Sequence, residues 1–303
     1  MKELNYEKVF NTLVEETANY VTSNGLKAMV LGISGGIDST VVAAICHEVS
    51  KKTDIPLIGR SLPIKNKNDE FATSVHVGEA FCNEFSVYRL ERSYRAALFD
   101  ACADAGDVNM ANSYYLDELE EMPSRTPIAN GNLQARCRMM YLYDIASRHK
   151  GLVMSTDNQT EYQLGFWTIH GDVGDFDPIQ DLWKTEVYRL ARWICDYYTM
   201  MSDGEDVDKI QAIRESVALT PTDGLGISNS DLEQIGARTY YDVDRVLQTL
   251  ICKASPENDK LQDSLEQELG REVVHKIIKR HTASEFKRKK APIYITREKY
   301  END

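Results

Sequence analysis

The stretch Leu31-Gly32-Ile33-Ser34-Gly35-Gly36-Ile37-Asp38-Ser39-Thr40 has the residue types that hold a phosphate group. Two consecutive glycines let backbone N–H groups turn toward an anion with no Cβ in the way. Ser39 adds a hydroxyl, and a helix starting just after the glycines adds N–H donors and the positive end of its dipole. The loop is not a Walker A loop, because G-x-x-x-x-G-K-S/T with its lysine is absent, which disfavours a P-loop kinase or GTPase. The plain alternative is a tight turn from strand to helix in which Asp38 or Ser39 merely caps the helix.

Further along, Ser155-Thr156-Asp157-Asn158-Gln159-Thr160-Glu161 follows a second apolar run, Leu152 to Ser155. Ligands of open parallel sheets bind at the carboxyl ends of strands. Asp38 and Glu161 can therefore meet as two hard oxygen ligands for Mg²⁺, which takes carboxylates together with phosphate oxygens. The alternative for Glu161 is a solvated helix carboxylate. Asn132 and Arg136 lie about one helical turn apart and share a face, whereas Arg138 points about 200° away from Arg136. An ordinary surface helix would carry the same two arginines.

His170-Gly171-Asp172-Val173-Gly174-Asp175 is rich in Gly and Asp and reads as a loop. Its glycines suit a lid that closes over substrates and excludes water. Calcium is the rival reading, but the ligand spacing of an EF-hand is missing. The run Lys287-Arg288-Lys289-Lys290 would ordinarily be a solvated basic face.

These groups need elements to place them. Asn5 to Val21 has helical spacing, and 1–24 is expected to be an N-terminal helix. Lys27 to Ile33, Ile55 to Ser61, Ser86 to Leu90 and Leu152 to Ser155 read as strands. Ser39 to Val49, Asp69 to Asn83, Tyr94 to Ala105 and Asn132 to Arg148 read as helices between them. Such alternation indicates right-handed crossovers and a parallel sheet. The fold class expected is α/β, a doubly wound, mainly parallel sheet with helices on both faces. The last third differs: Trp183 to Tyr198, Val243 to Leu250, and the runs on either side of Gly270 are helical stripes. No repeat or linker divides the 303 residues, so one domain over 1–303 is the simpler reading.

Composition narrows the function. A net charge of −13 argues against a general nucleic-acid binder but not against a nucleotide substrate, for which one cluster of donors is enough. The six cysteines are scattered with no C-x-x-C pair, which suits reduced, buried thiols. No apolar run approaches the ~20 residues of a membrane span. The N-terminus lacks the apolar core of a signal peptide, so a cytoplasmic location is expected.

S-G-G-x-D-S after an apolar strand resembles the signature of the N-type ATP pyrophosphatase superfamily, whose fold is Rossmann-like, of the adenine nucleotide alpha hydrolase type. Together with Gly131 to Met139, Ser155 to Glu161, His170 to Asp175, Pro178 to Val187, Pro221-Thr222-Asp223-Gly224-Leu225 and Phe286-Lys287-Arg288, in this order, the chain resembles the NAD synthetase family of the ammonia-dependent type. The resemblance implies ATP contacts from Ser34, Gly36, Ser39, Thr156, Lys184 and Thr222. It implies magnesium held by Asp38 and Glu161, and substrate contacts from Asn132, Arg136, Arg138, Asp172 and Lys287. Asp172 is also the candidate catalytic residue, accepting a proton from ammonium.

The implied reaction is amidation of deamido-NAD (nicotinic acid adenine dinucleotide) to NAD through an acyl-adenylate, with release of AMP and pyrophosphate. The family's motifs occupy nearly the whole length, so direct use of ammonia is expected, with a separate glutaminase as the other route. The family's homodimer is expected too; the N-terminal helix and the helix around Trp183 to Tyr198 are candidate surfaces, and core packing explains both equally well. A GMP synthetase-like amidotransferase and a non-catalytic nucleotide sensor are the rival readings. The chain departs from the family pattern in two places. Arg60 stands one residue early relative to the family's Arg-Leu-Pro, and Phe286 stands where histidine is frequent. Ala111 to Arg125 matches nothing in the family.

Overall fold

In a computed structural model, the described residues are 3–201, 204, 206–220, 230–251 and 257–289. The chain opens with α1 (Tyr6–Ser23), β1 (Met29–Gly32), α2 (Ile37–Thr53), β2 (Leu57–Ser61), α3 (Asn68–Phe81), β3 (Glu84–Val87) and α4 (Glu91–Asp104). Next come the short α5 (Leu116–Glu120), the long α6 (Pro127–His149), β4 (Leu152–Val153), α7 (Gln159–Leu164), α8 (Lys184–Met201) and α9 (Val207–Ala218). The chain continues with α10 (Asp231–Ile235), α11 (Tyr240–Ile251), α12 (Glu257–Leu269) and α13 (Arg271–Ala283), then a 3₁₀ turn over Glu285–Arg288.

The strands form a parallel sheet in the order β3-β2-β1-β4, with Met29 opposite both Leu57 and Leu152. From β1 the chain moves outward through β2 and β3, then returns across to β4 on the other side of β1. That reversal makes a switch point between β1 and β4, where loops diverge and leave a crevice at the carboxyl ends of the strands. Alternate side chains of β1 enter two cores. Met29 and Leu31 pack with Phe10 of α1, Val41 and Ile45 of α2, Val77 of α3 and Leu190 and Ile194 of α8. Val30 packs on the opposite face with Tyr94 and Leu98 of α4 and Leu142 and Ile145 of α6. Burial on both faces explains why the strand reads as an unbroken apolar run. The doubly wound expectation is correct.

Several boundaries move. The third strand starts at Glu84, two residues before the sequence estimate, as a largely exposed edge, and Leu90 instead precedes α4 as a buried residue. Helix α6 starts five residues earlier than expected, because Thr126 Oγ1 accepts from Ala129 N at 3.2 Å and Pro127 suits the first helical position. The segment 111–125 holds α5, anchored by buried Leu119 and by Arg95, whose guanidinium donates to the Tyr114 carbonyl at 2.7 and 3.0 Å. Helix α9, not anticipated from sequence, packs on α2, α3 and α8. The apolar faces of α1 and α8, expected as a possible dimer surface, are spent inside the chain: Phe10 meets Trp193 at 5.5 Å between ring centroids. No helix among the described residues is long and apolar enough to cross a membrane.

A third apolar cluster joins Leu164 of α7 to Ile235, Val243, Leu247, Leu265, Val274 and Ile277 of the C-terminal helices. Asp244 fastens it to the rest. Fully buried, its carboxylate accepts from Thr160 Oγ1 at 2.5 Å and from Thr185 N and Oγ1 at 3.0 and 2.7 Å. Replacing it by Ala would remove the acceptor through which Thr160 and Thr185 are joined to α11. Asp244→Ala is expected to lose about 2–4 kcal/mol of unfolding free energy in a urea titration. A loss below about 0.5 kcal/mol, the level of an ordinary surface substitution, would show that the fastening contributes nothing.

Candidate active site

The loop after β1 is built around Gly35. Its φ is +87°, and a Cβ there would lie 2.5 Å from the Glu70 carbonyl oxygen and 2.9 Å from the Ser74 nitrogen. The loop therefore lies flush on the first turns of α3, which only glycine permits. Ser34 Oγ accepts from Gly36 N at 3.2 Å and shares a 2.9 Å hydrogen bond with Ser39 Oγ. Gly36 occupies the N-cap of α2, and no side chain caps the helix. That disposes of the simple capping role for Asp38 or Ser39. The first-turn N–H groups of α2 have no intrahelical acceptor and face the loop, which is the arrangement that receives phosphate.

Lys184, at the start of α8, is the centre of charge. It is 2% exposed, and its ammonium binds Asp38 Oδ2 at 2.5 Å and Glu161 Oε1 at 2.9 Å. The Tyr240 ring covers it, with its centroid 5.6 Å from Nζ. Burial works against the charge, but Asp38 and Glu161 override it and hold the ammonium protonated far above its usual range. Burial likewise pushes the Glu161 carboxyl up to about 7, against the pull of Lys184. Asp38 and Glu161, 123 positions apart in sequence, thus converge on one cation at the switch point.

Three neighbours were not singled out from sequence. Asn158, fully buried, donates from Nδ2 to Asp38 Oδ1 at 2.8 Å. Asp157 accepts from Ser155 Oγ at 2.9 Å, and burial first, then Asp172 and Asp177, raise its carboxyl well above the ordinary range. Asp177 is pushed by burial up to about 7, and its buried Oδ2 has no hydrogen-bond partner among the described residues. Their sequence signal was weak, since an aspartate in a loop reads as solvated until the loop is seen to fold under another. Thr156 stands between Ser155 and Asp157 at the carboxyl end of β4. Thr222 lies outside the described residues.

The opposite wall comes from α6 and the lid. Thr168 donates from Oγ1 to Asn132 Oδ1 at 2.7 Å and from its backbone N to Asp172 Oδ1 at 2.7 Å. Arg136 reaches the same loop, donating to the Ile169 carbonyl at 3.2 Å. Arg138 does not. It turns to the other side of α6 and donates to the Leu62 carbonyl at 3.0 Å and to Asn66 Oδ1 at 3.4 Å. Asp172 is solvent-accessible, yet desolvation by the protein around it raises its carboxyl, against the hydrogen bond from Thr168 N. Lys287 Nζ donates to the Gly165 carbonyl at 2.7 Å and to the Trp167 carbonyl, beneath the lid, and its charge acts on Asp172. Phe286 is exposed. Arg60 is turned to the Gly59 carbonyl and to Glu84 at the sheet edge, whereas Ser61 faces α3 through a 2.7 Å bond between Oγ and Ser74 Oγ.

The profile of the NAD synthase family matches residues 9–291, nearly the whole chain. The chain belongs to the NAD synthase family. The NH(3)-dependent NAD(+) synthetase of Fusobacterium nucleatum is 28% identical over 288 residues, covering 95% of each chain. The glutamine-dependent NAD(+) synthetase of Aquifex aeolicus is 28% identical over 290 residues, of which this chain spans only 45% of the relative's length. Among solved structures, the NMN synthetase of Francisella tularensis superposes with a TM-score of 0.69 at 23% identity, over 97% of this chain and 100% of that one. At that identity the likeness concerns the fold.

The family's sheet thus carries a cluster in which four side chains (Asp38, Asn158, Glu161 and Lys184) depend on one another. Lys184→Met keeps the packing of the stem and removes the charge. Glu161 then loses the cation that opposes its desolvation, and its carboxyl rises above about 7. A carboxyl raised in the fold favours folding below its unfolded range and withdraws that stability as pH climbs through the folded value. In thermal unfolding, Lys184→Met is therefore expected to lose several degrees more than the unaltered chain between pH 5.5 and pH 8. Parallel profiles would show that the lysine does not neutralise the pair.

Proposed function

We propose that this member of the NAD synthase family amidates deamido-NAD to NAD at the expense of ATP, with ammonia as the nitrogen donor. We read residues 1–303 as a single domain of that kind, acting in the cytoplasm. One observation carries the reading: Asp38 and Glu161 converge on the Lys184 ammonium at the switch point, beside the phosphate loop. Two carboxylates from separate elements, able to share one cation and open to added phosphate oxygens, fit Mg²⁺. Asp38 and Glu161 would hold the ion, which when bound neutralises charge on the phosphates.

Each residue then has a task. Ser34, Gly36, Ser39 and the first turn of α2 hold the pyrophosphate end of ATP, and Lys184, Thr156 and Thr222 hold the rest of its phosphate chain. Asn132 and Arg136 keep the lid over the acceptor, with Lys287 opposing the acceptor's negative charge. Arg138 serves the substrate indirectly, by fixing α6 against Leu62. The nicotinate carboxylate attacks the α-phosphorus and pyrophosphate leaves. Ammonia then attacks the acyl carbon, Asp172 takes the proton, and AMP departs. Alignment and preorganised charge supply the rate, with no covalent protein intermediate.

The deciding assay follows NAD, AMP and pyrophosphate from purified protein with Mg²⁺, ATP, deamido-NAD and either ammonium or glutamine. NAD with ammonium, accompanied by equimolar AMP and pyrophosphate, is the expected result. Faster amidation of the mononucleotide acid would overturn the dinucleotide assignment. Product only with glutamine and an added glutaminase would overturn the donor.

A homodimer belongs to the same proposal. Ile128, Arg136, Met140 and Tyr143 lie within roughly 120° of arc on α6. Ile128, Met140 and Tyr143 remain 58%, 65% and 39% exposed. With α1 and α8 spent in the core, this is the face we assign to a second copy. Sedimentation is expected to show a dimer that Met140→Glu weakens at least tenfold; a monomer in both would refute it.

A further inference from the structure

Asn158 is the N-cap of α7. Its Oδ1 accepts from Glu161 N at 3.1 Å, and its own N–H donates to Glu161 Oε2 at 3.3 Å, a capping box closed in both directions. Asp, Ser or Thr would cap the helix equally well. Only asparagine, among the good caps, also carries an NH₂ group that can donate elsewhere while its oxygen caps. That group donates to Asp38 Oδ1 at 2.8 Å, across from a different strand and helix. The two partners also fix which end of the amide is which, since an N–H requires the oxygen and a carboxylate requires the NH₂.

The consequence is a division of oxygens. Asn158 takes one oxygen of each carboxylate, Asp38 Oδ1 and Glu161 Oε2. The others, Asp38 Oδ2 and Glu161 Oε1, are left on the Lys184 ammonium. One buried residue therefore holds both acids, the Asp38 carboxylate through its side-chain NH₂ and the Glu161 carboxylate through its backbone N–H.

We propose that Asn158 is a positioning residue of the reaction, whose side-chain NH₂ holds the Asp38 carboxylate against the start of α7, where Glu161 lies, so that one oxygen of each acid faces the same divalent cation. The proposal rests on the reading of those two residues as ligands of the ATP-bound metal. Partners one step removed from a metal typically change its affinity by 10–100-fold. A helix cap with no further role would change stability alone.

The test uses Mn²⁺ as probe, with the full chain and an ATP analogue whose α,β-bridge is methylene and cannot be cleaved. Free Mn²⁺ is followed by electron paramagnetic resonance, and folding by thermal unfolding. Asn158→Ser keeps the cap and removes the donor to Asp38. It is expected to unfold within a few degrees of the unaltered protein while binding Mn²⁺ in the analogue complex at least about tenfold more weakly. The Mg²⁺ concentration for half-maximal turnover should rise in parallel. Asn158→Asp, nearly isosteric, keeps the cap and sets a third carboxylate against Asp38. It is expected to disturb Mn²⁺ binding likewise, and it carries the test should the serine variant fail to fold.

Unchanged Mn²⁺ affinity in the folded variant would overturn the proposal, provided that Asp38→Asn and Glu161→Gln abolish binding. If those two variants still bind Mn²⁺ normally, the metal reading itself falls.

Discussion

Everything at the switch point depends on one buried ammonium. Asp38 and Glu161 both lose much of their water, and two carboxylates at close quarters in a medium of low dielectric repel strongly. Lys184 makes their proximity tolerable, and its own burial is tolerable only because two anions flank it. Removing Lys184 leaves two carboxylates without their shared cation, the costly case for such networks. The cluster adds little to net stability for the same reason. Its value lies in holding oxygens and nitrogens in fixed places before a substrate arrives.

The rest of the structure supports that cluster from three sides. Gly35 lets the phosphate loop lie against α3, so the first turn of α2, with Asp38 on it, is set by the sheet core beneath. Asn158 ties the start of α7 to Asp38. The C-terminal helices act through Thr160, whose hydroxyl accepts from Lys184 N at 2.8 Å and donates to Asp244. The helical last third, which carries no strand among the described residues, therefore positions the backbone of the central lysine. Tyr240 of α11 covers the same lysine from above.

The sheet and its phosphate loop would serve many nucleotide enzymes, since function lies in the site and not in the fold. The distinguishing parts are α6 and the lid. Thr168 is held by Asn132 on one side and by Asp172 on the other, so the lid is shaped by the helix that faces it. The geometry also separates two arginines that the family resemblance had grouped, as their roughly 200° of helical arc implied. Arg136 meets the lid, and Arg138, two positions on, braces the end of β2.

The sequence alone was enough for the phosphate loop, the strand before it, the parallel alternation and the facing of Asn132 and Arg136. Those rest on local rules: glycine sterics, an apolar run buried on both faces, and the 100° turn of a helix. It also suggested that Asp38 and Glu161 meet, because loops at one end of a parallel sheet gather. Tertiary structure decided what local rules cannot reach. Lys184 lies 146 positions from Asp38, and only the docking of α8 on the sheet brings its ammonium between the acids. Asn158 has no role that local rules reveal beyond capping α7, and only the position of α2 gives its NH₂ a partner. Asp177 reads as a solvated loop residue until the fold buries its carboxylate. The stripes of α1 and α8 looked equally suited to a partner or to a core, because periodicity shows that a face is buried but not what buries it.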